Sequence, residues 1–329
     1  MPAILHSIQQ RNTALTVSVQ LAFNLPVNPI SAVLLTLRAR DLTAVTAPRV
    51  ALSALLGLIT QIQVQFKGAD LWNASAVDTY VAGGALSRHL PKHNAPEFTA
   101  TAYRYVTLYI PFTRFLYSPT ECLPATRSGE LRMIITPAAS FAGFDTVSVQ
   151  VETVELLDAQ PARFAKTTTL TRTNPATGFN DIDMPLGNPL IGATIFVTTV
   201  PVGTALSGSI IDAQLLVDNV QYTYASTMWE TLQGLLSNRI PSPWEPWSHA
   251  HIENLAAAYA AGATTDLTAQ ARDIFRQYAY MDWDPIQAMP DTYLLQTEGR
   301  GRVIIRMNNG VADAVRILPH ELVALAPAA

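Results

Sequence analysis

The sequence predicts an all-β protein made of two similar β-sandwiches in tandem. Short segments with alternating apolar and polar residues recur along the chain, with Pro and Gly between them. A strand-turn-helix pattern in the first half returns in the second half. The length of 329 residues is sufficient for two domains.

Strand-like segments fill most of the first half. The clearest alternation places Ile62, Val64 and Phe66 on one face and three glutamines on the other. Other segments of this kind are ALTVSVQLAF, AVLLTLRARDL, YRYVTLYIPF, ELRMIITP and VSVQVETVEL. Many short strands separated by turn residues are typical of a β-sandwich or a barrel.

The second half begins where the chain becomes polar and rich in Thr and Pro, after Asp158. We interpret DAQPARFAKTTTLTRTNPATGFND as a linker and the first strand of a second domain. The final segment, GRVIIRMNNGVADAVRILPHELVAL, is typical of a hairpin that turns at residues 308–310. The predicted organisation is an N-terminal arm over residues 1–14, a first sandwich over 15–160 and a second over 161–329.

The two halves repeat a longer pattern in the same order. GLITQIQVQFKGADLWNASAVDTYVAGGALSR, residues 57–88, aligns without gaps with GSIIDAQLLVDNVQYTYASTMWETLQGLLSNR, residues 208–239. Each copy holds an alternating strand, a tight turn, a short extended piece and a helix. LPVNPI precedes the first copy, MPLGNPL precedes the second, and each half ends with two strands. These ordered correspondences indicate the duplication of one structural unit.

Both repeated helices have a hydroxyl residue three positions before an acid. The pairs are Ser75 with Asp78 and Thr227 with Glu230. This spacing predicts a capping box, in which the hydroxyl accepts a backbone N–H and the acid bonds back to the cap residue. We therefore expect Ser75 and Thr227 to be the N-cap residues.

The composition favours extensive contacts between subunits. The chain is 49% hydrophobic and 14% charged, whereas a typical soluble domain is about 25% charged. A large apolar core in an Ala-rich protein is the alternative explanation. The net charge of -4 and the lack of a basic stretch predict no direct sequence-specific binding of nucleic acid. Cys122 is the only cysteine, so an intrachain disulfide is impossible.

Neither a signal peptide nor a membrane span is evident from the sequence. The start, MPAILHSIQQR, has no basic region followed by a long apolar region. The longest apolar stretch, near VALSALLGLI, is shorter than the ~20 residues that cross a bilayer. We expect a protein that is made in the cytoplasm and does not span a membrane.

The repeated segments carry a resemblance to a known family. They are LPVNPISAVLLTL with MPLGNPLIGATIF, and IQVQFKGADLWNASAVDTY with AQLLVDNVQYTYASTMWET. A duplicated β-sandwich with one helix in a connection resembles the double jelly-roll major capsid proteins of tailless icosahedral viruses. Tectiviruses, corticoviruses, the Flavobacterium-infecting lipid phage and adenoviruses have such proteins. The resemblance extends over most of the chain, from Leu15 to Leu325, and rests on architecture rather than on a diagnostic motif.

The resemblance implies a tandem double jelly roll, that is, two eight-stranded β-sandwiches. Each has a short helix, and the second has a longer, partly helical connection. The implied function is structural: a major capsid protein, located in the virion of an icosahedral bacteriophage with an internal membrane, that forms trimeric pseudo-hexagonal capsomers. The family offers no catalytic residues and no cofactor.

The resemblance also implies partners. These are further copies of the chain, then penton and minor capsid proteins, and the lipid of an internal membrane. We expect the N-terminal segment to reach the lipid or to pack beneath the capsomer, because Ile4, Leu5 and Ile8 have helical spacing. A frayed terminus is the alternative.

Three tryptophans of the second half are candidate interface anchors, because aromatic residues are common in interface cores. They are Trp244, Trp247 and Trp283. Packing inside the second domain is an equally good interpretation, since Trp is mostly buried on average.

No pattern of catalytic or metal-binding residues is persuasive. His249 and His251 are two residues apart, but no third ligand has suitable spacing. The acids of DWD, residues 282–284, are interpreted as a turn rather than a cation site. Neither a phosphate-binding Gly-rich loop nor a nucleophile elbow occurs. We predict a protein that is not an enzyme and holds no metal. The alternative is a secreted or surface β-sandwich that binds or processes carbohydrate.

Overall fold

The computed structural model describes residues 3–42, 52–89, 93–94, 101–174, 177–199, 209–240, 274–286 and 291–325. The first half of the described chain contains β1 (Ala3–Ala14), β2 (Leu21–Asn24), β3 (Ile30–Asp41), α1 (Leu52–Leu56), β4 (Ile59–Phe66), β5 (Ala69–Ala74), α2 (Ala76–Ser87), β6 (Tyr103–Pro111), β7 (Leu131–Pro137) and β8 (Phe144–Leu157).

The second half contains β9 (Arg163–Thr168), β10 (Leu170–Asn174), β11 (Gly178–Asp183), β12 (Leu190–Val197), β13 (Ile210–Val217), β14 (Val220–Met228), α3 (Trp229–Arg239), a short 3₁₀ helix (Ile274–Gln277), β15 (Tyr278–Asp282), β16 (Val303–Asn309) and β17 (Asp313–Ala324). β8 ends at Leu157 and β9 begins at Arg163, so the predicted boundary between residues 160 and 161 falls in this connection.

The first half folds into a sandwich of two four-stranded layers. One layer has the strand order β1-β8-β3-β6, and the facing layer has the order β5-β4-β7-β2. Apolar residues at alternate positions fill the space between them; Leu35, Leu108 and Val149 come from the first layer, and Ile62 and Met133 from the second. The chain switches repeatedly between layers, which is the topology of an eight-stranded jelly roll.

The second half has the same topology. Its layers have the orders β15-β12-β17, with β9 and β10 both paired to β17, and β14-β13-β16-β11. Its core contains Ile195, Ala279 and Ile317 from the first layer and Leu215 and Ile305 from the second. The prediction of an all-β tandem double jelly roll with one helix after the fifth strand of each roll is confirmed. The first strand of the second roll is split into β9 and β10.

The repeat read from the sequence matches the strands. β4 and β13 begin at Ile59 and Ile210, and β5 and β14 begin at Ala69 and Val220, so both pairs are 151 residues apart. Alternation of apolar residues, which sets the face of each strand, was therefore sufficient to align the two rolls.

The Asn-Pro phrases are held by the same contact in both rolls. The side-chain amide of Asn28 donates to Glu155 at 2.6 Å, and that of Asn188 donates to Glu321 at 2.8 Å. Both glutamates are buried on the last strand of their roll. The residue after each glutamate donates its N–H to the carbonyl of the proline after each asparagine, at 2.9 and 2.8 Å. We call this contact the Asn–Glu anchor.

The expectation of a separate, helical N-terminal arm is wrong. Residues 3–14 are β1, which pairs antiparallel with β8 along most of its length. The exposed fractions of Ile4, Leu5 and Ile8 are 52%, 40% and 46%. Because the strand is solvent-accessible on both faces, its apolar residues follow no strand alternation, and their helical spacing is incidental.

The predicted C-terminal hairpin is also wrong. β16 pairs with β11 and β13, whereas β17 pairs with β9, β10 and β12, so the two strands lie in opposite layers. β17 buries side chains on both faces, because one face packs in the second roll and the other packs toward the first roll. The Asn-Asn-Gly sequence therefore links two layers instead of two paired strands.

Candidate functional site: the junction between the two rolls

The two rolls meet where α2 of the first roll packs on the outer face of the β15-β12-β17 layer. The hydrophobic core of the first roll continues into this layer through Phe196, Tyr278 and Leu318. Tyr80 of α2 contacts Phe275, with ring centroids 5.8 Å apart. Ten of the twelve residues of α2 are buried, so both sides of this helix are covered.

Asp78 of α2 is the polar centre of the junction. The guanidinium group of Arg316 on β17 donates twice to its carboxylate, with both N–O distances at 2.9 Å. The Tyr278 hydroxyl donates to the same carboxylate at 2.7 Å, and the Ser75 hydroxyl donates at 2.8 Å. The Asp78 side chain is 1% exposed. Its charge is thus compensated almost entirely by groups of the second roll.

Both partners of Asp78 from the second roll, Arg316 and Tyr278, have pKa values above their ordinary values. Burial alone lowers the pKa of Arg316, but its hydrogen bonds to Asp78 outweigh burial and raise the pKa above its ordinary value. Burial raises the pKa of Tyr278 well above its ordinary value, and the nearby Asp78 charge raises it further. The guanidinium group of Arg316 also lies 3.7 Å from the ring centroid of Phe196. Arg316 therefore remains charged and Tyr278 remains a donor.

A second polar cluster surrounds Arg114, which follows β6. Its guanidinium group donates to Glu121 at 3.0 and 2.9 Å, to Asp284 at 3.3 Å and to Asp291 at 2.9 Å. Arg163 of β9 bonds to Glu121 at 3.2 Å and also to Asp291. The cluster joins the first roll to the segment after β15, because Arg114 and Glu121 belong to one roll and the two aspartates to the other.

The pKa values of two acids in this cluster are shifted in opposite directions. Burial raises the pKa of Asp284 even though Arg114 and Arg239 oppose the shift. For Asp291 burial also acts upward, but hydrogen bonds from Arg163 and Arg114 outweigh it and lower the pKa. Removing an arginine from this cluster leaves a buried carboxylate unpaired, which costs more than a surface ion pair gains.

Two arginines at equivalent positions of the repeat converge on the same segment. Arg88 follows α2, and Arg239 ends α3, 151 residues later. Arg88 donates to the carbonyl of Pro285 at 2.6 Å, while Arg239 donates to Asp282 at 2.7 Å and to the carbonyl of Asp284 at 2.5 Å. The end of β15 is thus fixed by one arginine from each roll.

His320 lies at the centre of the second-roll layer that faces the first roll. Its ring nitrogens hydrogen-bond the hydroxyls of Thr167 and Thr194, both at 2.9 Å, and its ring stacks on Tyr280 with centroids 5.9 Å apart. Burial, helped by the Arg239 charge, lowers the pKa of His320 to about 3. The imidazole is therefore neutral at ordinary pH and links β9, β12 and β17.

The rolls are joined through the backbone as well. β5 of the first roll pairs in parallel with β9 of the second at Trp72–Thr167 and Asn73–Thr168. The Thr169 hydroxyl donates to the carbonyl of Asn73 at 2.8 Å. One hydrogen-bonded sheet therefore continues from β2 in the first roll to β15 in the second.

The predicted helix caps have different outcomes. Ser75 is the N-cap of α2, and its hydroxyl accepts the Asp78 N–H at 3.1 Å, as predicted. Thr227 is not a cap: α3 begins at Trp229, with Met228 as a cap residue that makes no side-chain hydrogen bond. Strand pairing explains the error, because β14 continues three residues beyond the position equivalent to the end of β5 and keeps Thr227 paired with Ala213. Glu230 is exposed in the first turn of α3.

The candidate tryptophans do not form one site. Trp283 is 1% exposed and packs in the second-roll core, edge-on to Tyr224 at a centroid distance of 6.5 Å. The packing interpretation is therefore correct for Trp283, and the interface interpretation is wrong for it. Trp244 and Trp247 lie outside the described residues, as does most of the long connection of the second roll.

Sequence reasoning missed Arg316, Arg114 and Tyr278. A signal was present for the two arginines, since each is a lone charge in an apolar segment, AVRILP and IPFTRF. Such charges are seldom buried unless they are paired. Glu121 is seven residues from Arg114. The partners from the opposite roll, Asp78, Asp284 and Asp291, are distant in the chain, so spacing along the sequence did not reveal the junction.

Other candidate chemistry has structural roles. Asp282 and Asp284 bind arginines, which supports the interpretation of DWD as structural. Cys122 is buried, and burial with the nearby Glu121 charge raises the pKa of its thiol to about 12. Among the described residues there is no group of three or more His, Cys, Asp or Glu placed to hold a metal. His249 and His251 lie outside this part of the chain.

No helix in the described part of the chain is long and apolar enough to cross a membrane. No protein-family model matches the sequence, and no curated protein sequence matches it.

Solved structures of viral capsid proteins are similar to this chain over its full length. The STIV major capsid protein, from Sulfolobus Turreted Icosahedral Virus, has a TM-score of 0.67 at 12% identity, with 98% of this chain and 97% of that chain covered. The major capsid protein P2 of Bacteriophage PM2 has a TM-score of 0.60 at 9% identity, with 99% of both chains covered. The PBCV-1 virus capsid has a TM-score of 0.59 at 10% identity, with 98% and 94% covered.

These similarities define the class of fold. The chain has the double jelly-roll fold found in major capsid proteins of icosahedral viruses, and the resemblance read from the repeated segments is confirmed at this level.

Proposed function

We propose that this chain is a major capsid protein located in the virion of an icosahedral virus. The supporting observation is the side-by-side fusion of two complete jelly rolls, which matches capsid proteins from end to end. The buried arginine–acid clusters make the two rolls one rigid block. Such a block suits a shell because its outer surfaces keep a fixed mutual orientation.

We further propose that the assembling unit is a homotrimer. Two similar rolls in each chain give six similar lobes in a ring of three, and this arrangement is close to hexagonal. A charged fraction of 14% agrees with surfaces that become buried between subunits. Penton and minor capsid proteins are the further partners that a closed shell requires. Lipid contact through a helical N-terminal segment is left out of the proposal because that segment is β1.

The proposal includes the absence of enzymatic activity. Two buried acids of the described chain, Asp78 and Glu121, are each bound by an arginine and are therefore not free to act as catalytic acids or bases. The carbohydrate-binding alternative has no support from Trp72. Trp72 is fully buried and donates its indole N–H to Thr79 at 3.2 Å, so it offers no platform to a sugar.

The decisive measurement is the assembly state of the purified protein. We expect light scattering after size exclusion to give three times the chain mass of 35.7 kDa, and electron microscopy of concentrated protein to show hexagonal particles or sheets. A monomer that persists at high concentration would overturn the proposal. Release of glycans from a glycoprotein substrate, assayed in parallel, would favour the alternative.

A further inference from the structure

Two of the edge strands in the described sheets, β1 and β14, are paired on one side only. β1 is the outer strand of the β1-β8-β3-β6 layer, and β14 is the outer strand of the β11-β16-β13-β14 layer. No residue of β1 is buried, and Tyr224 is the only buried residue of β14. Large apolar side chains are exposed on both strands; among them Ile4 is 52% exposed, Val220 68% and Tyr222 52%.

The chemistry of these edges favours strand pairing. Natural proteins protect edge strands with Lys, Pro or inward-pointing charges. β14 has the sequence VQYTYASTM, with neither a charged residue nor a proline, and β1 has the sequence AILHSIQQRNTA, with Arg11 as its one constant charge. Val, Ile, Tyr and Thr are the residues that fit a paired strand best.

A strand pairing of the proposed kind already exists inside the chain, where the two rolls meet. Within the chain, β5 of the first roll pairs in parallel with β9 of the second. β14 is the counterpart of β5 at an offset of 151 residues. β1 is the counterpart of β9, because each pairs with the last strand of its roll at the glutamate of the Asn–Glu anchor: Leu5 faces Glu155, and Lys166 faces Glu321.

We propose that β14 of one copy pairs in parallel with β1 of a neighbouring copy, so that sheets continue from chain to chain as they do from roll to roll. This inference rests on the proposed function and specifies its subunit contact. The register follows from the pairing inside each roll. Trp72 pairs with Val64 and faces Thr167 within the chain. Tyr222 pairs with Leu215, the counterpart of Val64, so Tyr222 faces His6 of the next copy.

The direction of the proposed contact allows the chains to form a closed ring. Each chain contributes β14 to one neighbour and β1 to the other, which makes the contact head-to-tail. A head-to-tail contact forms a ring when its rotation closes on itself. A ring of three chains joined in this way has β5–β9 and β14–β1 junctions in alternation.

Disulfide trapping between differently tagged chains tests the inference. His6→Cys and Tyr222→Cys are made in separate chains and co-expressed, so that the new thiols can meet only between copies. Directly paired strand residues have Cα atoms about 5 Å apart, within the range of about 4.4–6.8 Å that a disulfide spans. The native Cys122 is buried and does not compete. The matched control is His6→Cys with Phe179→Cys on β11, the opposite edge of the same layer.

After mild oxidation we expect at least about five-fold more linked dimer from the His6–Tyr222 pair than from the control pair. Peptide mass spectrometry identifies the linkage. If the wild-type protein forms trimers but the double-cysteine pair gives no excess of linked dimer, the β14–β1 pairing is overturned and the proposed function stands. Wild-type protein that stays monomeric would overturn both. Equal cross-linking of the two pairs would show non-specific contact and also overturn the inference.

Discussion

Asp78 and Arg316 are 238 residues apart in the chain and form a two-armed ion pair at the junction, with both N–O distances at 2.9 Å. The pair joins α2 of the first roll to β17, the last strand of the second roll. Planar, two-armed pairing fixes orientation as well as distance. The two rolls therefore have one relative orientation, which apolar packing alone does not specify.

Replacing Asp78 tests how much this pair stabilises the chain. Asp78→Asn removes the charge and leaves Arg316 with an uncompensated charge at a mostly buried site. We expect the free energy of unfolding in urea to fall by about 3 kcal/mol. Asp181→Asn, which breaks the exposed pair with Arg306, is the control and should cost less than about 1 kcal/mol. Equal effects of the two changes would contradict a buried role for Asp78.

Two glycines at equivalent positions of the repeat should respond in opposite ways to the same change. A Cβ atom on Gly83 would lie 2.0 Å from the backbone oxygen of Tyr109, so α2 would have to move away from β6. Nothing lies within 4 Å of a Cβ on Gly234. We expect Gly83→Ala to destabilise the fold by about 1–3 kcal/mol, and Gly234→Ala to stabilise it by up to about 1 kcal/mol. Thermal unfolding distinguishes the two signs.

The Asn–Glu anchors should contribute similarly in both rolls. Glu155→Gln and Glu321→Gln each replace a charged acceptor of a buried hydrogen bond with a neutral amide. We expect each change to lower the free energy of unfolding by about 1.5–3 kcal/mol. Glu298→Gln, at an exposed position, is the control and should have almost no effect. A large loss of stability at one anchor and none at the other would show that only one of the two equivalent contacts stabilises its roll.

His320 should make stability depend on acidity. The unfolded chain takes up a proton on this side chain near pH 6.5, whereas burial lowers the folded pKa to about 3. Protons therefore favour the unfolded state between these values, and stability falls as the pH falls through this window, by up to about 1.4 kcal/mol per pH unit.

A comparison of variants isolates the histidine from the carboxylates that titrate in the same range. His320→Gln keeps hydrogen-bonding groups for both threonines but does not titrate, so its stability should fall less steeply from pH 6 to pH 4 than that of the wild type. His6→Gln, on the exposed β1 strand, should retain the wild-type slope. Identical slopes for all three proteins would refute a neutral buried His320.

Alternation and turn residues were sufficient to predict the two sandwiches, because each strand buries one face and its period is visible in a short window. β4 and β13 show this most clearly. The same reasoning failed at β1 and β17. β1 is exposed on both faces and β17 is buried on both faces, so neither shows the one-sided pattern that identifies a strand and its layer.

The junction was less accessible to sequence reasoning than the fold. Ser75 and Asp78 were identified through local capping, which depends on residues three positions apart. The contacts of Asp78 with Arg316 and Tyr278 depend on packing between rolls, and no local pattern encodes them. The error at Thr227 has the same origin, since pairing with β13 overrides a local capping signal.

The Asn–Glu anchors have a consequence for synthesis on the ribosome. Each closes within its own roll, between residues 127 positions apart in the first and 133 in the second. The first roll can therefore complete its closure as soon as β8 has emerged, before β9 is made. Until β15 and β17 follow, the nascent chain presents the buried face of α2 and the Asp78 carboxylate to solvent. During this interval a chaperone or another copy of the chain can bind the surface that lies buried between the two rolls in the mature protein.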